Sequence, residues 1–164
     1  MFLVDPGTGE TIEVLGPTIQ YLTAPDGGDD GPCVMRGTIP PGFVVPLHSH
    51  ADPETFLMLS GELEGLAMSP EGFAWIPVGP GDIFHVPGNA KHAWRNPSPE
   101  PAVTIIVSTT RIGRFFRELG TPVGTTAGPP SDDAIQRFLE AAERYGYWNA
   151  TPEENAAVGL HPGG

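Results

Sequence analysis

Four side chains in two short segments have the chemistry and the spacing of a metal site. His48 and His50 are two residues apart, so on an extended strand both imidazoles point to the same face. Glu54 follows the turn-prone residues 51–53, and a tight turn there would return the chain antiparallel and set this carboxylate beside the two rings. His92 begins a second extended stretch about forty residues further on. Imidazoles and a carboxylate suit a divalent first-row metal, and His92 would complete a set of three histidines and one carboxylate.

The elements that must position these residues are short strands separated by tight turns. From Cys33 to Thr110, β-like runs alternate with turns rich in proline and glycine, without a helical pattern between them. This arrangement predicts an antiparallel β-sandwich or barrel. The predicted strands are Val34–Ile39, Phe43–His48, Thr55–Ser60, Phe73–Ile76, Asp82–Val86, His92–Asn96 and Val103–Thr109.

The sequence divides into three regions. Residues 1–17 form a lead-in with short strand character, residues 18–110 form the barrel, and residues 111–164 form a helical extension. The barrel region opens with a predicted strand at Thr18–Leu22.

Three helices are predicted in the extension. The first is Arg111–Leu119, ended by Gly120, and the third starts at a capping box, Thr151-Pro152-Glu153-Glu154. The second has Ser131 as its N-cap and Gly146 as its stop. Its apolar residues at helical spacing are Ile135, Phe138, Leu139, Ala142 and Tyr145. We expect these faces to pack on the barrel or on a second subunit.

Composition limits the classes of function. The chain has 164 residues, with 8 Lys and Arg against 20 Asp and Glu, which gives a net charge of −12. Nucleic acids and anionic membranes bind basic faces, so neither is an expected partner. Cys33 is the one cysteine, which excludes an intrachain disulfide and a thiolate metal cluster. The first residues lack the signal-peptide pattern and the apolar runs are too short for a membrane span, so we expect a cytoplasmic protein.

The two candidate ligand segments together resemble the motifs of the cupin superfamily. The first cupin motif is Gly, five residues, His-x-His, three or four residues, Glu, six residues, Gly; it is matched by Gly42, His48, His50, Glu54 and Gly61. The second is Gly, five residues, Pro-x-Gly, two residues, His, three residues, Asn; it is matched by Gly81, Pro87, His92 and Asn96. Asn89 stands where the family has a second glycine. Asparagine tolerates left-handed backbone, so we expect the turn to be kept.

The resemblance implies a mainly β fold, a double-stranded β-helix (jelly-roll) barrel with a C-terminal helical extension. It also implies that His48, His50, Glu54 and His92 are the ligands of one divalent metal ion. Strand alternation turns Phe56 and Met58 to the same side as Glu54, and Trp94 to the same side as His92. These three are the candidate substrate contacts in an apolar, aromatic interior. By the same alternation, either Met35 or Arg36 faces the interior, but not both.

The similarity to quercetinase-like cupin dioxygenases implies a function. An aromatic or enolic hydroxyl compound would bind to iron, nickel, manganese or cobalt, and Glu54 would accept the hydroxyl proton before dioxygen attacks. Two alternatives stay open. One is a zinc-type Lewis-acid cupin that catalyses a cyclisation, isomerisation or decarboxylation, and the other is a non-catalytic cupin that binds a small molecule. His85 is a candidate acid/base near the barrel mouth or an exterior, hydrogen-bonded residue. Exposed barrel faces and the C-terminal helix favour a homodimer.

Overall fold

Two antiparallel β-sheets make up most of the chain in a computed structural model, which describes residues 3–5, 7–29, 31–125 and 128–161. Within these residues the strands are, in chain order, β1 Thr11–Glu13, β2 Thr18–Tyr21, β3 Pro32–Ile39, β4 Val44–Ser49, β5 Glu54–Ser60, β6 Leu63–Ser69, β7 Gly72–Val78, β8 Ile83–Val86, β9 His92–Arg95, β10 Ala102–Thr109, β11 Thr121–Pro122 and β12 Trp148–Asn149. A seven-stranded sheet has the order β11-β1-β2-β3-β10-β5-β8, and a five-stranded sheet has the order β12-β4-β9-β6-β7. The predicted mainly β, jelly-roll fold is confirmed.

The alternation of buried and outward residues is clearest in β10. Ala102, Thr104, Ile106 and Ser108 are buried, whereas the residues between them are more exposed. This period of two turns one face of each sheet toward the other sheet. The principal hydrophobic core therefore fills the barrel interior between the two sheets.

Each predicted strand between residues 34 and 109 coincides with an observed strand, but β6 was not predicted. Its sequence, Leu63–Ser69, contains glycine, alanine and glutamate, which are poor strand formers. Strand pairing stabilises β6 despite this low β-propensity, because β6 is hydrogen-bonded to β7 on one side and to β9 on the other. Gly65 also has a packing role: a Cβ there would lie 2.9 Å from the Phe84 ring and 3.0 Å from the Trp94 ring.

One irregularity in β4 sets the direction of the His48 side chain. Val45 pairs with Trp94 of β9, and the next registered pair is His48 with His92, so β4 advances three residues while β9 advances two. The extra residue is a β-bulge at Pro46-Leu47, a place where proline is tolerated because it cannot donate to the ladder. As a result, Val45 packs into the barrel core while Leu47 joins a separate cluster outside it.

The three predicted helices are present as α1 Thr110–Leu119, α2 Asp132–Tyr145 and α3 Pro152–Ala157. The Ser131 hydroxyl accepts a hydrogen bond from the Ala134 amide, and Gly146 ends α2 in a left-handed conformation. The capping box of Thr151 and Glu154 is formed in both directions. None of these helices combines the length and the hydropathy that a membrane-spanning helix requires.

The predicted apolar face of α2 is only partly buried. Ala142 is buried and Phe138 packs against Phe115 of α1, but Ile135 and Leu139 are exposed. The buried side of α2 is therefore rotated from the predicted one and includes Ala141.

The chain after α2 covers the five-stranded sheet. β12 pairs with β4, and Trp148, Val158 and Leu160 pack on the outer side of this sheet with Leu47. The Trp75 indole donates a hydrogen bond of 2.9 Å to the Val158 carbonyl.

Gly42 and Gly61, the two glycines that bound the first motif, both have left-handed backbone, with φ of +70° and +75°. A Cβ at Gly42 meets nothing within 4 Å, whereas a Cβ at Gly61 would lie 2.6 Å from the Pro101 carbonyl oxygen and 2.7 Å from the Ala102 Cα.

We expect Gly42→Ala to lower the free energy of unfolding by about 1–2 kcal/mol, the cost of left-handed backbone. Gly61→Ala should cost about 1–3 kcal/mol more, because overpacking is added. Urea unfolding measures both, and equal losses would contradict the close approach.

Candidate metal centre

Backbone carbonyls hold one ring nitrogen of each of the three clustered histidines. Nδ1 of His48 lies 2.8 Å from the Pro46 carbonyl oxygen, Nδ1 of His50 lies 2.8 Å from that of Asp52, and Nδ1 of His92 lies 2.9 Å from that of Ala90. A carbonyl only accepts hydrogen bonds, so each Nδ1 carries the hydrogen. In the neutral ring the lone pair then lies on Nε2. Metal-binding histidines are oriented by outer hydrogen bonds of this kind.

The three rings converge inside one end of the barrel. Their ligand nitrogens lie within 4.8 Å of one another, and the centroids of the His48 and His92 rings are 4.2 Å apart. Oε2 of Glu54 is 3.4 Å from Nε2 of His50 and 3.3 Å from Nε2 of His92. His50, Glu54 and His92 are buried, whereas His48 is partly exposed. The cluster is therefore enclosed except on the side of His48.

The turn between β4 and β5 differs from the predicted one. A tight turn was expected to return the chain antiparallel and set Glu54 beside the histidines; Glu54 does lie beside them, but β4 is in the five-stranded sheet and β5 in the seven-stranded sheet. Residues 51–53 thus connect the two sheets across the barrel, because β5 pairs with β8 and β10 and not with β4. The Glu54 side chain therefore reaches the histidines from the opposite sheet.

The Pro87-Gly88-Asn89 turn supports the same end of the barrel. Asn89 has a φ of +66°, so the predicted left-handed asparagine is confirmed at the position where the family has glycine. Its amide donates a hydrogen bond of 2.6 Å to the His50 carbonyl. A Cβ on Gly88 would lie 2.3 Å from the Ala51 carbonyl oxygen, which explains why this position requires glycine.

Electrostatics in the cluster favour a buried carboxylate among imidazoles. Loss of hydration inside the cluster lowers the pKa of His48 below its usual range, with further lowering by His92 and His50. Burial also acts to lower the pKa of His50, but the Glu54 carboxylate outweighs it and the net shift is upward. For Glu54, burial acts to raise the pKa, yet His50 and His92 together lower it well below its usual range. Glu54 is therefore ionised, and its buried charge requires a positive partner.

The donor set fits a divalent cation. Nε2 of His92 is buried and has no hydrogen-bond partner among the described residues, although buried polar atoms are normally satisfied. A shared cation would engage this nitrogen and neutralise Glu54. Three imidazoles and one carboxylate suit Zn²⁺, Fe²⁺, Ni²⁺, Mn²⁺ or Co²⁺.

The three predicted interior residues lie in the barrel core. Phe56, Met58 and Trp94 are buried in the principal core, and the Phe56 and Trp94 ring centroids are 4.6 Å apart. The Trp94 Nε1–H is a buried donor with no partner in the described part of the chain. Of Met35 and Arg36, Met35 is the residue that faces the interior, since it is fully buried while Arg36 donates a hydrogen bond to Gln20.

His85 lies outside the cluster. It is exposed on β8, and its Nδ1 is 2.9 Å from the Thr55 hydroxyl. Of the two predicted alternatives, the exterior, hydrogen-bonded residue is the one observed.

Sequence reasoning missed Asp52, Arg111 and Tyr147. Asp52 is buried, and its carboxylate lies 2.8 Å from Nη1 of Arg111 and 3.0 Å from the Tyr147 hydroxyl. Asp52 lies between His50 and Glu54 in the first motif, and this position was the sequence signal that could have identified it. Tyr147 lies 95 residues away in sequence, and no local pattern connects it to the motif.

Comparisons with known proteins agree with this geometry. Residues 35–108 match the family model described as the cupin domain. Over 146 residues the chain is 28% identical to quercetin 2,3-dioxygenase of Bacillus subtilis (strain 168), a match that covers 87% of this chain and 42% of the relative. The chain thus spans about two fifths of that relative's length.

Two solved structures illustrate the shared fold. The polyketide cyclase RemF from Streptomyces resistomycificus is similar with a TM-score of 0.56 and 19% identity, over 67% of this chain and 80% of that one. An RmlC-like cupin from Shewanella frigidimarina gives a TM-score of 0.54 and 16% identity, over 67% of this chain and 91% of that one. At these identities the likeness concerns the fold alone.

Fold and site together define a jelly-roll barrel with a cluster of three histidines in its interior, suited to hold a metal ion. Residues 35–108 match the cupin-domain family model, and the two structural neighbours share this fold. The predicted family resemblance is confirmed.

Removal of two clustered histidines should abolish metal binding. We expect the His48→Ala, His50→Ala double variant to lose affinity for Zn²⁺ or Co²⁺ by more than the roughly 10–100-fold that loss of an outer hydrogen bond costs. Competition with a chromogenic chelator measures this affinity. His85→Ala is the matched control, because it removes an exterior histidine and should bind as the wild type does. Stoichiometric metal in the double variant would refute the site.

Proposed function

We propose that this chain is a metal-dependent dioxygenase that acts on a small molecule with an aromatic or enolic hydroxyl group. In this proposal His48, His50, Glu54 and His92 hold one ion of iron, nickel, manganese or cobalt. The observation that carries the proposal is the buried Glu54 carboxyl group, whose Oε2 lies 3.3–3.4 Å from Nε2 of His50 and His92 in a barrel with an aromatic interior. The 28% identity to quercetin 2,3-dioxygenase supports the same reaction class.

The metal, when bound, would supply Lewis acidity that favours the ionised form of a hydroxyl substrate, and coordination positions open to small ligands. The histidines keep their Nε2 lone pairs directed inward because carbonyls hold each Nδ1. Glu54 is the residue that accepts the hydroxyl proton. It suits this role by position, because it lies in the buried cluster where the hydroxyl group would bind and water does not compete strongly for its oxygens.

The interior wall would bind the body of the substrate. In this proposal the rings of Phe56 and Trp94, which lie in the core with centroids 4.6 Å apart, contact a flat molecule, and Met58 provides an adaptable apolar contact. The Trp94 Nε1–H, which has no partner among the residues that the structure describes, is a donor for a carbonyl or hydroxyl oxygen of the substrate. A site built to satisfy such a donor discriminates strongly against analogues that lack the oxygen.

Dioxygen uptake with a flavonol as the probe tests the proposal. The protein loaded with each of the four metals is mixed with quercetin, and we expect oxygen consumption that matches quercetin loss. Glu54→Gln should lower turnover per bound metal by about 10²–10⁴-fold, the usual contribution of a positioned base. Glu64→Gln is the matched control, since Glu64 pairs with Arg95 away from the cluster.

The outcomes separate the alternative functions. Turnover that continues under strict anaerobiosis would exclude the dioxygenase and indicate a Lewis-acid cupin, for which zinc is the expected metal. Binding that depends on metal, without turnover of any tested compound, would indicate a small-molecule-binding cupin.

We also propose a homodimer, with the outer face of β5, β8 and β10 as the interface. Leu57, Leu59, Ile83 and Val107 are exposed on this face, and Ile83 is 69% exposed. The outward residues of these three described strands include no carboxylate, although the whole chain has a net charge of −12. Two acidic copies repel each other least where carboxylates are absent, and an uncharged apolar face is self-complementary across a two-fold axis.

A charge placed on this face should separate the subunits. We expect Ile83→Asp to convert the dimer to a monomer in light scattering after size-exclusion chromatography, because a buried unpaired carboxylate is costly. Ile135→Asp is the control: it adds the same charge at an exposed isoleucine of α2 and should leave the dimer intact. Loss of the dimer in Ile135→Asp alone would place the interface on α2 instead.

A further inference from the structure

Asp52 is a buried acidic residue whose carboxylate is enclosed by donors from distant parts of the chain. Nη1 of Arg111 donates to Oδ2 at 2.8 Å, the Tyr147 hydroxyl donates to the same oxygen at 3.0 Å, and the Thr109 hydroxyl donates to Oδ1. Arg111 lies in α1 and Tyr147 follows α2, so the carboxylate joins the barrel to the helical extension. A carboxylate with three donors in a buried site is tightly fixed.

The main chain of the same residue orients a candidate metal ligand. The Asp52 carbonyl accepts the hydrogen bond from Nδ1 of His50 at 2.8 Å. Any rotation of the Asp52 peptide would therefore break the contact that fixes the tautomer and the ring direction of His50. The donors that fix the side chain limit this rotation.

Tyr147 reaches the same ligand by a second route. Its ring centroid is 5.1 Å from that of His50. The next two residues pair with β4, with Trp148 opposite Ser49 and Asn149 opposite His48. Arg111 in turn donates a hydrogen bond to the Tyr145 carbonyl, just before this segment. The extension thus contacts both the turn and the strand that carry the histidines.

We propose that Asp52 is the positioning residue of the metal centre and that Arg111 and Tyr147 act on metal affinity through it. This inference rests on the proposed metal centre. The Asp52 carboxylate holds its own peptide in place, the peptide carbonyl holds His50, and the C-terminal extension is thereby part of the metal site. Loss of an outer hydrogen bond of a metal ligand lowers metal affinity by about 10–100-fold, and we expect that range here.

Matched tyrosine and carboxylate variants distinguish positioning from a general loss of stability. Tyr147→Phe removes the hydroxyl that binds Asp52. Tyr21→Phe is its control, because the Tyr21 hydroxyl is also buried and donates to the Gly113 carbonyl at 2.7 Å, outside the network. Asp52→Asn removes the charge of the network, and Glu64→Gln is its control. Tyr147→Phe keeps the test decisive if Asp52→Asn does not fold.

Two readouts are taken on full-length protein. The first is Zn²⁺ affinity by competition with a chromogenic chelator. The second is the tautomer of His50 in metal-free protein at a pH high enough to keep the ring neutral, read from its ring nitrogens by NMR, which a purely structural role would not change. We expect both tyrosine variants to unfold at lower temperature than the wild type, but Tyr147→Phe and Asp52→Asn alone to lose Zn²⁺ affinity 10–100-fold and to lose the pure Nδ1–H tautomer.

Wild-type Zn²⁺ affinity and a wild-type His50 tautomer in both Tyr147→Phe and Asp52→Asn would overturn the inference. If the wild type itself takes up no metal, the proposed metal centre fails. The tautomer measurement then still decides whether Asp52 orients His50.

Discussion

The ionised carboxylate of Glu54, buried between His50 and His92, is the interaction on which the rest of the site depends. Burial alone would raise the pKa of this carboxyl, and only the adjacent imidazoles keep it charged. A buried negative charge with an unpartnered imidazole nitrogen beside it is unfavourable unless a cation is shared. This arrangement therefore suits a divalent ion, and the carbonyls that hold each Nδ1 direct the Nε2 lone pairs to that position.

The barrel brings these groups together from both sheets. His48 and His92 are direct cross-strand neighbours because of the bulge at Pro46-Leu47, and Glu54 reaches them from the opposite sheet. The helical extension contributes as well, since β12 pairs with the histidine strand and Tyr147 contacts Asp52. His50, Glu54 and His92 are buried, and His48 is the partly exposed residue of the cluster. The partly exposed His48 marks the side from which a ligand can approach.

Much of this arrangement could be predicted from the sequence, because it is encoded locally. Strands between turns, the caps at Ser131 and Thr151, and the spacing of the histidines all depend on neighbouring residues. What could not be predicted depends on distant pairing. β6 forms despite weak propensity because two strands flank it, the turn after His50 crosses between sheets because β5 finds partners elsewhere, and Asp52 meets Tyr147 only through the packing of the extension. The rotation of α2 away from its predicted face has the same origin, since Phe115 selects which side is buried.

The most direct test of the central claim is the metal content of untagged protein, purified without chelator and measured by elemental mass spectrometry. The account predicts about one divalent ion per chain, and iron, nickel, manganese or cobalt would agree with the proposed chemistry. Protein that contains no metal, and takes up none when metal is added, would contradict the claim that His48, His50, Glu54 and His92 form a metal centre.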